Sequence, residues 1–405
     1  MTPTPAERTS AQPRHQETAE TDLLRVRPIA TPAERLAFIQ FMWQVYRNDP
    51  NWVPYLISER QAFLDPQRNP TFAHLDVQLF VAEQRGQIVG TIAAFINHRH
   101  NEFHNEQVGF FGFFETINNY AVAEALLSTA CEWVRAKGMT AIRGPANFST
   151  NDEIGMLVEG FDSPPVILMT YNPRYYPEFV ERFGFTKAQD LWAYHIDIDI
   201  FREHPEQAPA KLLRVVEKVK QRGEFTVRPV NMKRFHEEVE AIKAVYNSAW
   251  ERNWGFVPLT DAEIDHLAKN LKQIIDPKTV FIAEADGRAI GVVIPLPNLS
   301  EPLRLAYPRP GEPEWWTMLK LLWHWKVRRR VRLLRVFALG VIEPYRNRGV
   351  DAVLYYSAGR AALDRGYHEI EMSWILESNT IMNRTIEVFG GRKYKTYRVY
   401  EKSLV

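Results

Sequence analysis

The sequence predicts an α/β protein of two similar units in tandem, each a mixed, mostly antiparallel sheet flanked by helices. Three observations carry this prediction. Short sequence marks recur in the same order about 200 residues apart. Each copy opens with hairpin-forming strands and then alternates strands with helices, which is the pattern of a mixed sheet. The 405 residues are also enough for two cores.

The marks are specific. Val26-Arg27-Pro28 returns as Val227-Arg228-Pro229. Phe80-Val81-Ala82-Glu83, with Gly86 and Val89-Gly90, returns as Phe281-Ile282-Ala283-Glu284, with Gly287 and Ile290-Gly291. Asn51-Trp52 and Pro54 answer Asn253-Trp254 and Pro258, and Phe183-Gly184, Lys187 and Tyr194 answer Phe389-Gly390, Lys393 and Tyr400. These marks divide the chain into a first unit at 23–200, a linker at 201–223 and a second unit at 224–405. Residues 1–22, rich in Thr, Pro, Ala, Gln and Glu, read as a disordered tail.

Taken in order, each copy begins with an extended Val-Arg-Pro segment and a helical pattern, Pro32 to Tyr46 and Met232 to Trp250. A hairpin follows, turning at Arg85-Gly86 and at Asp286-Gly287, where glycine supplies the left-handed backbone that two-residue turns need. The next strand, Val108 to Phe114 or Leu333 to Ile342, leads into a helix, Ala121 to Ala136 or Ala352 to Asp364. Both helices stop at a glycine, Gly138 and Gly366. Another strand (Thr140 to Arg143; Glu369 to Ile375), a helix and a closing strand complete the unit. Leu212, Leu213, Val216 and Val219 at helical spacing make Glu206 to Arg222 a linker helix.

Composition excludes several classes. Apolar residues at 45%, charged residues at 24% and a net charge of +1 are those of an ordinary globular protein, so no nucleic-acid partner is expected. A single cysteine, Cys131, rules out an intrachain disulfide, and its apolar helical setting makes it a small core residue. The N-terminal residues lack the apolar core of a signal peptide, and no run reaches the ~18 apolar residues of a membrane span, so a cytoplasmic protein is expected. His98, His100 and His104 sit among Asn97, Asn101 and Asn105 and read as a solvated hairpin loop; no metal and no permanently bound cofactor are expected.

The segment Gly340-Val341-Ile342-Glu343-Pro344-Tyr345-Arg346-Asn347-Arg348-Gly349-Val350 resembles the acyl-CoA signature of the GNAT acetyltransferase superfamily, an Arg-x-x-Gly loop between a strand and a helix. The physical basis is a cradle of backbone amides at a helix N-terminus, which meets the pyrophosphate of CoA. The resemblance implies acyl-CoA as co-substrate, with Val341, Ile342, Arg346, Asn347, Arg348, Gly349 and Val350 as its candidate ligands. Asp351 departs from the pattern, standing where Gly or Ala is usual. Asn379, after the strand ending Trp374-Ile375-Leu376-Glu377, occupies a position that contacts the CoA arm in the superfamily. The tyrosine expected seven residues later is Ile386. Glu377 is the candidate general base, and Tyr400, among the closing-strand tyrosines, the candidate acid.

The first copy lacks the Arg-x-x-Gly loop and carries instead the segment Phe148 to Asp162 and the Tyr171 to Tyr176 cluster. Its role is read as structural or acceptor-binding, with Asn151, Asp152, Tyr171 and Asn172 as candidates. Glu314 to Arg332 is an insertion of the second copy, with Trp315, Met318, Leu319, Leu322, Trp323 and Trp325 at helical spacing beside Lys326, Arg328, Arg329 and Arg330. It is either a helix packed on the sheet or an amphipathic helix meeting a bilayer or a long acyl chain. The tandem layout and this helix resemble bacterial long-chain N-acyltransferases of the ceramide-synthase type. The implied reaction is acyl transfer from acyl-CoA to an amine, such as a sphingoid base. A non-catalytic acyl-CoA sensor and a transferase using aminoacyl-tRNA remain as alternatives.

Overall fold

The computed structural model describes residues 23–204 and 210–405, so the expected tail at 1–22 lies outside the described residues. The first copy supplies β1 (Arg25–Ile29), β2 (Leu75–Gln84), β3 (Gln87–Asn97), β4 (Val108–Thr116), β5 (Ala141–Gly144), β6 (Met156–Glu159) and β7 (Thr186–Asp197). The second supplies β8 (Thr226–Pro229), β9 (Phe281–Ala285), β10 (Arg288–Pro297), β11 (Leu333–Val341), β12 (Glu369–Leu376) and β13 (Arg392–Ser403). The helices used below are α1 (Pro32–Gln40), α2 (Tyr120–Ala136), α3 (Tyr175–Arg182), α4 (Ala210–Arg222), α5 (Phe235–Trp250), α6 (Asp261–Leu271), α7 (Glu314–Leu322), α8 (Val350–Asp364) and α9 (Thr380–Val388).

Local chemistry explains most boundaries. Thr31 caps α1 in a reciprocal box with Glu34, and Pro32 occupies the first turn, where no amide donor is lost. The β2–β3 turn holds Arg85 and Gly86 at φ +54° and +70°, and the β9–β10 turn holds Asp286 and Gly287 at +50° and +72°. Left-handed backbone at both central positions matches the right-handed twist of the flanking strands. The apolar stripe of α2, from Val122 through Leu126 and Leu127 to Val134, is wholly buried on β3 and β4. Cys131 lies in that stripe as a core residue.

All thirteen strands form one sheet, ordered β1-β2-β3-β4-β5-β13-β7-β12-β11-β10-β9-β8, with β6 pairing off the path to β13. The closing strands are exchanged. β13, the last strand of the second copy, pairs with β5 of the first, and β7 of the first pairs with β12 of the second. β7 and β13 then pair antiparallel with each other at the centre. Both are 12 residues long, so each can serve two cores. Leu191 and Ala193 of β7 pack in the first copy while Tyr194 and Ile196 pack in the second.

Loops reinforce the junction: Trp43 Nε1 donates to Pro308 O at 2.7 Å, Thr150 Oγ1 to Gly255 O at 2.7 Å, and Ile167 N to Asn298 Oδ1 at 2.9 Å.

One segment differs from its sequence reading, and a second departs from one of the two readings it was given. His98–His104 is a short helix rather than a solvated loop, because Asn97 caps it and His100 turns into the core, 3.1 Å from Glu106. Among the described residues no group of three or more metal-ligating side chains assembles. The second is the inserted helix, which does not pack on the sheet. Only Thr317 and Leu321 of α7 are buried, and α7 leans on the Ser300–Ala306 helix. Trp315 is 65% exposed and Trp323 54%, with Trp316, Leu319, Leu322 and Val327 also on the surface. No described helix is long and apolar enough to cross a membrane.

Candidate active site

Each copy contains one parallel strand pair that parts along its length. β4 and β5 are in register only from Val108/Ala141 to Phe110/Arg143, and β11 and β12 only from Leu333/Glu369 to Val336/Met372. Beyond these pairs a notch opens. Both notches border a bulge: Phe113 and Phe114 of β4 oppose Ile92 alone, with Phe113 at φ +46°, and Phe337 of β11 is an unpaired extra residue. Bulges of this kind re-aim a strand and gather at functional sites.

The first notch is filled by its own chain. Ala146 N donates to Phe111 O at 2.8 Å, and Asn147 Oδ1 accepts from the bulge amide of Phe113 at 3.0 Å. A Cβ at Gly112 would lie 1.8 Å from Ala146 O, so only glycine allows this approach. Across the second notch, no backbone hydrogen bond runs among the described residues. Its apex is fastened by the buried Arg335, which donates to Ser373 O and Oγ, both at 3.1 Å, while Ser373 Oγ donates to Glu371 at 2.7 Å.

From this apex β11 runs to the predicted loop. Asn347 and Gly349 take left-handed backbone, φ +59° and +82°, and α8 starts at Val350. Among the described residues, the amides of Asn347, Arg348, Gly349 and Val350 meet no backbone carbonyl outside α8. Successive free amides at a helix start favour an anion.

The side chains divide. Arg346 is spent on the loop itself, donating to Val341 O at 3.1 Å and Ala249 O at 2.8 Å. Arg348 stays exposed, 3.8 Å from Glu224. Gly349 faces the linker helix: a Cβ there would stand 2.7 Å from Val219 Cγ2. Val216 and Val219 of α4 pack on Val353 of α8, so the linker braces the loop. Ile342 N donates to Ile290 O, and Asn379 caps α9 by accepting from Met382 N at 3.2 Å.

Glu377 and Tyr400 do not converge on the notch. Glu377 accepts from Lys187 Nζ at 3.0 Å and from Asp190 N at 3.2 Å, tying β12 to β7. The Tyr400 hydroxyl donates to Glu181 at 2.8 Å from within the first core. Glu377 and Tyr400 are joined through one polar network, in which Lys187 links Glu377 to Asp190 and Arg398 links Asp190 to Glu181.

The first-copy candidates mostly brace loops. Asn151 donates to Val257 O at 3.0 Å and accepts from Tyr246 at 2.9 Å, bridging the copies. Asp152 accepts from Ser149 Oγ at 2.6 Å, and burial pushes its carboxyl up to about 7. Tyr171 donates to Asp49 at 2.9 Å, and Asn172 holds both backbone groups of Leu157.

Sequence reasoning missed a buried polar cluster around a cavity of about 80 Å³ in the first copy. Arg60 pairs with Glu153 at 2.6 Å and stacks on Tyr55, and Asn147 also donates to Glu153 at 2.8 Å. Nearby, Glu115 accepts from Tyr46 at 2.9 Å and from Tyr176 at 2.7 Å. Its one local signal is a carboxylate closing the apolar run Val108 to Phe114.

Burial pushes the Glu115 carboxyl up to about 8, partly offset by its two tyrosine donors. The unfolded chain loses this proton near 4.5 and the native state only near 8, so stability falls as pH rises between these values. Melting curves of wild type and Glu115→Gln across that window should show the decline in wild type and a shallower one in the variant. Equal slopes would mean that Glu115 is ionised in the fold.

No protein-family model matches the chain. It is 39% identical over 388 residues to the bacterial ceramide synthase of Caulobacter vibrioides, covering 94% of this chain and 98% of that protein. It is 36% identical over 385 residues to protein YghO of Escherichia coli K12, covering 94% and 95%. Among solved structures, it is similar to a tandem GNAT protein from the clavulanic acid biosynthesis pathway, with TM-score 0.55, 11% identity, and 95% and 99% of the two chains covered. A GCN5-related glucosamine N-acetyltransferase region of a fungal multi-domain β-N-acetylglucosaminidase gives TM-score 0.53 at 15% identity, over 94% of this chain and 38% of that one. These likenesses bear out the tandem GNAT fold expected from the repeat together with the signature loop.

Proposed function

The chain belongs to the bacterial ceramide synthase family, and from that premise we propose that it transfers an acyl group from acyl-CoA to a lipid amine, such as a sphingoid base. The observation that carries this reading is the contrast between the notches: the first is closed by Ala146 and Asn147, and the second opens onto the Asn347–Val350 amides. In the proposal the pyrophosphate rests on those amides with Arg348 beside it, and the pantetheine arm runs along β11 past Val341 and Ile342. Asn379 lies at the opposite lip.

The acceptor amine attacks the thioester carbonyl, so a C–N bond forms as the C–S bond breaks. A backbone amide of the bulged strand polarises the carbonyl. The amine proton passes to solvent and the departing thiolate takes up a proton, because Glu377 is engaged by Lys187 Nζ and Asp190 N on the β7 side. Tyr400, held by Glu181, has a packing role in this reading. Asn151, Asp152, Tyr171 and Asn172 shape the acceptor side by fixing the loops between the copies. The exposed 314–332 segment brings the protein to the cytoplasmic face of a membrane, where a lipid acceptor lies.

Calorimetry with CoA tests the site. Arg348→Glu, at an exposed position that leaves the loop's own hydrogen bonds intact, should weaken CoA binding about 10-fold or more, since one charge-assisted contact becomes a repulsion. Unchanged affinity would sink the placement of the pyrophosphate. Free thiol released only when acyl-CoA and a long-chain amine are both present would separate a transferase from a sensor.

A further inference from the structure

The polar cavity of the first copy holds a carboxyl group that no cation meets. The cavity, of about 80 Å³, lies between α1, the bulge of β4 and the 145–172 segment, with Tyr55, Arg60, Phe113, Glu115 and Glu153 among its walls. Arg60 and Glu153 neutralise each other there. Glu115, 9% exposed, takes only hydroxyl donors among the described residues. Tyr46 and Tyr176 both give to its Oε2, at 2.9 and 2.7 Å, and Oε1 has only a 3.2 Å contact from Tyr46. The other charged or titratable groups that act on it or feel its charge are Arg60, Glu153, Tyr55 and Tyr175. Ionised, Glu115 would leave the cluster one positive charge short, so the chain by itself keeps a proton there. Thr91 and Thr170, also on the wall, donate to Phe113 O at 3.1 Å and to Gly155 O at 2.8 Å. These hydroxyls therefore offer the cavity lone pairs, which suit a ligand rich in donors. Tyr55, Phe113 and Phe114 add aromatic walls, which favour an organic cation. A metal ion fits less well, because no group of three metal-ligating side chains assembles among the described residues.

We propose that the first copy binds a small primary ammonium ion in this cavity, with Glu115 as its counter-ion. The first copy is then a ligand site of its own, apart from the notch of the second. The cavity holds roughly five or more water-sized groups, which is room for an amino alcohol the size of ethanolamine. Tyr46 and Tyr171 are walls both of the cavity and of a broad surface cleft formed by 44–51 and 161–175, and they mark the way in. Binding is an exchange: the ammonium enters as the Glu115 proton leaves for solvent, so the charge of the cluster is conserved. A free amino alcohol and the head of a lipid amine present the same chemistry, the lipid with its tail leaving through the cleft.

The test is the thermal midpoint of the full chain, titrated with ethanolamine and with octylamine at several pH values below about 8. Ethanolamine is expected to raise the midpoint of wild type in a saturable way, as a ligand of the native state does. Its apparent affinity should strengthen by up to ~10-fold per pH unit as pH rises towards about 8, because the Glu115 proton has to leave. Glu115→Gln keeps the shape of the side chain and cannot act as a counter-ion, so it should weaken binding at least ~10-fold and remove the pH dependence. Should that variant fail to fold, the pH dependence of wild type still decides. A midpoint that ethanolamine does not move, an affinity flat with pH, or equal binding by Glu115→Gln overturns the proposal and leaves a hydrated cavity. Octylamine acting through Glu115 as strongly as ethanolamine assigns the site to the head of a lipid amine, and ethanolamine alone assigns it to a free amino alcohol. None of these outcomes bears on the CoA site.

Discussion

Anionic vesicles at low salt are expected to carry the protein into the pellet on sedimentation, and the triple variant Trp315→Ser, Trp316→Ser, Trp323→Ser is expected to leave it in the supernatant. All three rings stand on the surface, with Leu319, Leu322 and Val327 around them. A tryptophan offers at least 150 Å² of largely apolar surface, so inserting even half of three such rings is worth several kcal/mol at about 25 cal/mol per Å². The exposed Lys326, Arg328, Arg329 and Arg330 follow directly, and each adds about 1 kcal/mol near an anionic surface. The tryptophan variant should therefore lose binding by ~100-fold or more, whereas charge reversal at the arginines should chiefly abolish the salt dependence. Equal sedimentation of wild type and the tryptophan variant would remove the bilayer from the account. Equal binding to neutral and anionic vesicles would remove only the cationic part.

The second large effect is on stability. Arg60→Ala is expected to cost about 3–5 kcal/mol, because it strands the mostly buried Glu153 without its cation. The cavity beside it would also lose the guanidinium that stacks on Tyr55 at 3.5 Å. Denaturant unfolding measures the loss. Adding Glu153→Gln to the variant should recover a substantial part, since an amide costs less to bury unpaired than a carboxylate. If Arg60→Ala unfolds at the wild-type midpoint, the cluster is hydrated enough to solvate Glu153 and the pair contributes little.

How much of this was legible depends on the range over which each signal acts. The repeat, the glycine turns and the helix stops are local, and the strands and helices form close to where those residues place them. The strand exchange has no local signature. β7 and β13 carry the same pattern, with Lys187 and Tyr194 matching Lys393 and Tyr400. Alternation states which face of a strand is buried and not which neighbour it pairs with. For the same reason, helical spacing of tryptophans in α7 could not tell a covered stripe from a bare one.

The polar cluster draws Tyr46, Tyr55, Arg60, Glu115, Glu153 and Tyr176 from segments far apart in the chain, and only the fold assembles them. Within the signature loop the residue types were informative and their division of labour was not. Arg346 and Arg348 look alike in sequence, yet one is consumed by carbonyls 341 and 249 while the other faces outward.

The exchanged strands also dictate an order of events during synthesis. The first copy's sheet ends at β5, and the strand that completes it, Arg392–Ser403, is made only after almost the whole second copy has emerged. Until then a nascent chain exposes the outer edge of β5, and β7 has at most β12 beside it; such edges invite pairing with other chains. Domain-by-domain maturation on the ribosome is therefore closed to this protein. A premature stop shortly before residue 392 would leave the first copy's sheet open at β5, although every residue of the first copy had been made. Separately made halves would each need the other's last strand to close.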